Sequence, residues 1–230
     1  MRNCFLAAAV LASSVIAGTA DAAIAVYTSQ ASFEAAATNR GVDTFNNLSV
    51  IQYPSPLRRT AGSFAYTATV LRDVATTSAQ AFYGAGDADR WLSTNIAGDI
   101  VSFGGWSSSV SAIGGLFFGT KENGSFLANP GGVTVTATDS GGTVTRVILD
   151  PTTSSFLGFV STGGLSLLTV RTNMTATSVW PAVNNLTLAR AAVVTPVPEP
   201  ASWAMMILGM AAVGVTMRRR DKVSTTVGFG

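Results

Sequence analysis

The 230-residue chain contains no histidine and a single cysteine, Cys4. Without histidine it lacks the side chain most used as a general base, as a metal ligand and as a switch near neutral pH. A Ser-His-Asp or Cys-His arrangement is excluded outright. Cys4 falls in a leader segment, described below. The remaining chain then has no thiol, no disulfide and no thiolate metal site. Charge is scarce as well, at 11% of residues. Between residues 23 and 196, nine basic side chains (Arg40, Arg58, Arg59, Arg72, Arg90, Lys121, Arg146, Arg171, Arg190) face nine acidic ones (Glu34, Asp43, Asp73, Asp87, Asp89, Asp99, Glu122, Asp139, Asp150). The body is therefore neutral. The chain's net +2 comes from its ends, chiefly Arg218–Arg220 and Lys222. Nucleic acid is not an expected partner, because such binding rests on clustered Lys and Arg that displace counterions.

Glutamate is nearly missing from the body, which holds only Glu34 and Glu122. A glycosidase needs two carboxylates flanking a cleft. Here one sits on an expected helix and the other in a Lys-Glu-Asn-Gly turn, and both read as solvated surface charge. A serine–lysine pair would have to use Lys121, the body's only lysine, in that same turn. No catalytic residue emerges, and the chain is not expected to be an enzyme.

What is present begins with two apolar ends. Residues 1–22 read as a secretory signal peptide. Arg2 supplies the positive start, Phe5 to Ala17 an apolar run, and Ala20-Asp21-Ala22 a small-x-small cleavage pattern. Cleavage is expected after Ala22, with Ala20 and Ala25 as alternatives; an uncleaved membrane anchor is the competing reading. At the other end, Ala201 to Met217 is 17 residues without a charge, the short limit for a transmembrane helix. Trp203 stands at its start, where an amphipathic ring favours the headgroup region, and Arg218, Arg219 and Arg220 close it on the cytoplasmic side. Prolines 196, 198 and 200 stop the preceding strand and stiffen the approach.

Pro198-Glu199-Pro200-Ala201-Ser202-Trp203-Ala204, followed by an apolar helix and an arginine cluster, resembles the PEP-CTERM sorting signal in its PEPxxWA form. The same segment has been described as an ice-binding-protein C-terminal (VPEP) domain. The resemblance implies recognition by an exosortase, a membrane-embedded cysteine peptidase of Gram-negative bacteria. Pro198, Glu199 and Pro200 would be the recognition motif and the helix a transient inner-membrane anchor. The tail would then be removed and the body delivered to the cell surface or into an exopolysaccharide (biofilm) matrix. The ten residues Asp221–Gly230 extend beyond the usual end of such tails. A permanent single-span anchor on a proline-rich stalk is the alternative.

The body shows no fixed-period repeat. Ile24–Thr28 reads as a short strand. "SQASFEAAATN" follows as one short helix at about 30–38, with Ser29 as N-cap. Beyond it the pattern is strand and turn. "GSFAYTATVLRD" alternates apolar and small polar residues. "DIVSFGG" and "VSAIGGLFFG" are apolar, the latter with a Gly-Gly that predicts a bulge or a close backbone approach. "GGVTVTATDSGGTVTRVILD" predicts a β-hairpin turning at Asp139–Gly142. "SFLGFVS", "LSLLTVRT" and "WPAVNNLTLARA" add three strands. These point to a single all-β domain, a jelly-roll-like β-sandwich over 23–192, followed by a Pro-rich linker at 193–200, the helix at 201–217 and a basic tail at 218–230. The order of segments is similar to that of extracellular β-sandwich domains that often precede a PEP-CTERM tail. Such domains often carry Asp where this chain has Asn184.

Two binding chemistries remain open. "GAGDADRW" places Asp87 and Asp89 in a glycine-rich loop, with Asp99 ten residues on. Calcium, which takes oxygen ligands, is the candidate cofactor; a turn whose aspartates bond their own backbone is the alternative. Trp91, Trp106, Tyr83 and Tyr53 fall outside clear core strands and are candidates for stacking on sugar rings of an extracellular polysaccharide; core packing is the alternative. The expected role is a non-catalytic structural or adhesive one, with a lectin-like module as the second reading.

Overall fold

The computed structural model describes residues 23–72, 79–173, 178–193, 200–218 and 228. The expected signal peptide at 1–22 lies outside the described residues. The chain divides into two compact units after Ala192.

The first unit is built from fourteen strands and one helix among its described residues. In chain order they are β1 (Ile24–Tyr27), α1 (Gln30–Ala35), β2 (Ala37–Asp43), β3 (Gln52–Pro54), β4 (Leu57–Ala61), β5 (Phe64–Leu71), β6 (Ala81–Gly86), β7 (Arg90–Thr94), β8 (Ile100–Gly104), β9 (Ala112–Thr120), β10 (Val133–Asp139), β11 (Thr143–Ile148), β12 (Phe156–Ser161), β13 (Leu165–Thr172) and β14 (Trp180–Ala191). They form two antiparallel sheets. One runs β1-β12-β9-β14-β7-β6-β3, with β2 also paired to β14. The other runs β11-β10-β13-β8-β5-β4.

Period-two alternation explains how the sheets meet. In β5, Phe64, Tyr66, Ala68 and Val70 are buried while Ala65 and Leu71 face out. In β10, Val133, Val135 and Ala137 are fully buried and the threonines between them turn outward. These residues join Phe82, Leu92, Phe117, Phe159, Val183 and Leu186 of the other sheet in one hydrophobic core. The β10–β11 hairpin forms as its turn chemistry predicts. Asp139 Oδ1 accepts from the amides of Gly141 (2.8 Å) and Gly142 (3.0 Å), while Oδ2 accepts from the Ser161 hydroxyl at 2.6 Å.

The first sheet is buried on both faces at its centre, and α1 is part of the reason. Ser29 caps the helix by accepting from the Ser32 amide, as expected. Phe33 is fully buried against Ala37, Ala112 and Ala189. Its ring lies on Gly158 and Gly114, where a β-carbon would come 2.5 Å and 3.2 Å from Phe33 carbons. In the Gly-Gly of β9, Gly114 is approached by the Phe33 and Phe156 rings rather than by a backbone, and the pairing with β14 shifts register opposite Gly115. The helix is shorter than expected: β2 begins at Ala37, because the chain there gains a strand partner in β14.

A second correction concerns "GAGDADRW". It is the end of β6, a tight turn at Asp87–Asp89 and the start of β7, not a glycine-rich loop. Its glycines sit inside a hairpin whose pairing runs Gly84↔Leu92 to Gly86↔Arg90.

The second unit contains α2 (Pro200–Arg218), 19 residues long. Its described side chains are apolar all round and exposed from Met205 to Val215, so no face is marked for a protein neighbour. Nineteen residues rise about 28 Å, just under the roughly 30 Å of a hydrocarbon core. Among the described residues no helix is long and apolar enough to cross a membrane. The expectation of a transmembrane helix at 201–217 is therefore corrected: a helix forms over Pro200–Arg218, but it falls short of what a crossing requires.

Candidate functional site

A cleft of about 700 Å³ was not anticipated from the sequence. Val42–Thr44 and Asn47, at and after the end of β2, wall it; Arg58–Thr60 on β4 and Ala65–Thr67 on β5 complete it. Arg59 and Tyr66 are cross-strand partners, which brings them to one face. There they meet the Asp43 carboxylate, which is 5% exposed. Arg59 donates to it from Nε (2.6 Å) and Nη2 (2.7 Å), the Tyr66 hydroxyl donates at 2.6 Å, and the Phe45 amide donates at 3.0 Å. Arg59 also donates to Asn47 Oδ1 at 2.7 Å and lies over the Phe45 ring, 5.0 Å from its centroid.

Electrostatics here favour a fixed protonation pattern. Burial lowers the Arg59 pKa, but the hydrogen bond and charge of Asp43 outweigh it and leave the guanidinium above its ordinary value. Burial first, then the charge of Asp43, push the Tyr66 phenol far above its ordinary value. The triad ties the β2–β3 connection to the second sheet. No sequence motif signals it: its members are 16 and 23 residues apart and meet only through pairing.

A second cleft, about 380 Å³, does contain residues singled out from sequence. It is lined by Asp87, Trp91, Val50, Gly86, Asn123, Ser125 and Phe126, with Gly124. Leu92 enters the core, so Trp91 faces outward on the first sheet. Its ring meets Phe118 edge-on at 5.3 Å, and Phe118 leans on the half-exposed Phe126 at 6.2 Å. A turn over Lys121–Ser125 forms the opposite wall, where Asn123 Oδ1 accepts from the Ser125 amide and hydroxyl. Trp91 Nε1 is buried and has no hydrogen-bond partner among the described residues.

The other expected site residues are dispersed. Trp106 donates from Nε1 to the Leu165 carbonyl at 2.8 Å and, partly buried, packs against the core beside Tyr66. The Tyr83 hydroxyl donates to the Val50 carbonyl at 3.5 Å, and the Tyr53 hydroxyl accepts from the Ser49 amide at 2.8 Å; both staple the Ser49–Ile51 segment. The three aspartates proposed for calcium are not brought together. Asp89 accepts from Asn184 Nδ2 at 2.8 Å, and the fully buried Asp99 lies 3.7 Å from Arg72 at the start of β8. Among the described residues no three His, Cys, Asp or Glu side chains form a metal-binding group. An aspartate at 184 would face Asp89, and the amide that stands there instead donates to it.

In the tail, Pro200 opens α2, Trp203 lies in its first turn and Arg218 is its last residue. Pro198, Glu199, Arg219 and Arg220 lie outside the described residues.

A two-sheet antiparallel β body joined through a proline-rich segment to an apolar helix that ends in arginine defines a class: proteins with a C-terminal sorting tail. The tail itself is specific. A model of the PEP-CTERM protein-sorting motif matches residues 196–220. Such a motif implies export, recognition by an exosortase and a membrane-anchored precursor that is processed to the cell surface. The match covers the tail alone. No curated protein matches the chain.

Proposed function

We propose that this chain is a sorted surface or extracellular-matrix protein whose jelly-roll-like body has a non-catalytic structural or adhesive role. The sorting motif at 196–220 carries the reading. It is supported by the chemistry of the body, which lacks histidine and whose buried Asp43 carboxylate in the 700 Å³ cleft accepts four hydrogen bonds. Exosortase would act near Pro198–Pro200, between the body (23–192) and the helix. The test is the intact mass of the protein recovered from its native host's surface and medium. A C-terminus near Pro198–Pro200 supports the proposal. A mass running through Gly230 refutes removal of the tail and favours a permanent anchor.

The second reading is a carbohydrate-binding module. It is favoured by the gathering of Trp91, Phe126, Asp87 and Asn123 around one cleft, where rings could stack on a pyranose and polar groups fix its hydroxyls. A glycan array with wild type and Trp91→Ala tests it. Loss of a specific neutral glycan in the variant supports the reading, and identical profiles refute it.

A further inference from the structure

The neutral body is not neutral everywhere. Four of its nine basic residues gather on one edge, around the point where β2 passes the turn between β4 and β5. The passage is tight: a β-carbon on Gly41 would run into the Ala61 carbonyl, and one on Gly62 would come 2.8 Å from the Gly41 α-carbon. On one side of this contact lies the 700 Å³ cleft with Arg58 and Arg59. On the other lies a cleft of about 300 Å³ lined by Asn39, Arg40, Ser63, Phe64, Ser108 and Arg190.

The local charges do not cancel. Asp43 neutralises Arg59 in a buried pair. Glu34 stands 3.6 Å from Arg40 in an exposed one. Arg58 and Arg190 are exposed and form no side-chain hydrogen bond or ion pair among the described residues. Four arginines against two carboxylates leave about two positive charges on one polar edge.

We propose that this edge binds a carboxylated polysaccharide laid across both clefts. A guanidinium matches a carboxylate with two parallel hydrogen bonds. The rest of the lining suits sugar hydroxyls: Thr44, Asn47, Thr60 and Thr67 in one cleft, Asn39, Ser63 and Ser108 in the other. Both volumes suit sugar-sized ligands. Glycines at the crossing keep the saddle between the clefts low. Nucleic acid fits less well, because Phe64 and Tyr66 are buried and leave no ring for base stacking. The inference depends neither on the Trp91 cleft nor on removal of the tail.

The test uses the full-length chain in detergent and measures binding to polygalacturonate, dextran, dextran sulfate and single-stranded DNA, for wild type, Arg58→Ala, Arg190→Ala and Arg146→Ala. Polygalacturonate is expected to bind, and Arg58→Ala and Arg190→Ala each to weaken it about tenfold, the loss of roughly one charge-assisted hydrogen bond. Arg146→Ala, on β11 and outside both clefts, should bind as wild type does. Arg58→Lys and Arg190→Lys, which keep charge but lose the planar fork, should bind between wild type and alanine. Both arginines are exposed, so the melting temperature should not move, and a binding loss accompanied by melting would count against the proposal. Equal binding to dextran, equal binding to dextran sulfate or DNA, or Arg58 and Arg190 variants that bind like wild type would each overturn it.

Discussion

Consider the replacement of Asp43 by alanine. The substitution removes one carboxylate and strands three donors: the Arg59 guanidinium, the Tyr66 hydroxyl and the Phe45 amide. The Arg59 and Asp43 side chains are only 9% and 5% exposed, so solvent cannot readily replace the lost partner. Breaking a buried ion pair from one side costs about 3–5 kcal/mol, most of it the uncompensated charge left behind. For a body of this size 1 kcal/mol moves the melting temperature by about 2–4 °C, so the expected drop is roughly 6–20 °C. Urea unfolding of Asp43→Ala, Arg59→Ala and the double variant closes a double-mutant cycle. The double variant should lose less than the sum of the two singles, because it no longer buries a lone charge. A loss below about 1 kcal/mol with additive singles is the signature of a solvent-screened surface pair and would refute the reasoning.

Three further outcomes follow from the geometry. Tyr66 keeps its proton in the folded state above the pH, about 10, at which an unfolded tyrosine ionises. Its contribution is therefore complete below about pH 10 and is lost as pH rises beyond it; unfolding free energy should decline more steeply there in wild type than in Tyr66→Phe. Gly158→Ala should cost about 1–3 kcal/mol in chemical denaturation, because its new carbon would stand 2.5 Å from the fully buried Phe33 ring; unchanged stability would mean the ring is free to move. Asn184→Asp should set two carboxylates against each other where one hydrogen bond now runs to Asp89, lowering the melting temperature at pH 7 and recovering it toward pH 4 as one carboxyl takes up a proton.

The parts of the fold legible in sequence are those whose side chains alternate for local reasons. Phe64 to Leu71 and the Val133–Ile148 hairpin announce themselves because each buries one face and turns on Asp and Gly. The central strands β9, β12 and β14 are legible as apolar runs. The strands that escaped are polar or glycine-bearing. "ATNRGVD" carries Asn39 at φ 51° and buries only Ala37, Gly41 and Asp43, so its strand character comes from β14. "LRRTA" lies at a sheet edge, and "AFYGAG" pairs across glycines. The sorting tail was legible because its signal is contiguous. The Asp43–Arg59–Tyr66 cluster was not, because three strand registers assemble it. Trp91 and Asp87 stood out in the sequence separately, one as an aromatic outside clear core strands and one as an aspartate near glycines, and the turn that completes their cleft begins at Lys121, thirty residues beyond Trp91.

The position of β14 in the first sheet has a consequence for timing. It stands between β9 and β7, and β2 also pairs with it. Until Trp180–Ala191 has been made, that sheet exists as two fragments, β1-β12-β9 and β7-β6-β3, and β2 has no partner strand. A nascent chain therefore cannot close its core before about five-sixths of its length has been synthesised. In a chain whose sorting motif implies export, that delay leaves the body without a closed core until little but the segment after Ala192 remains to be made.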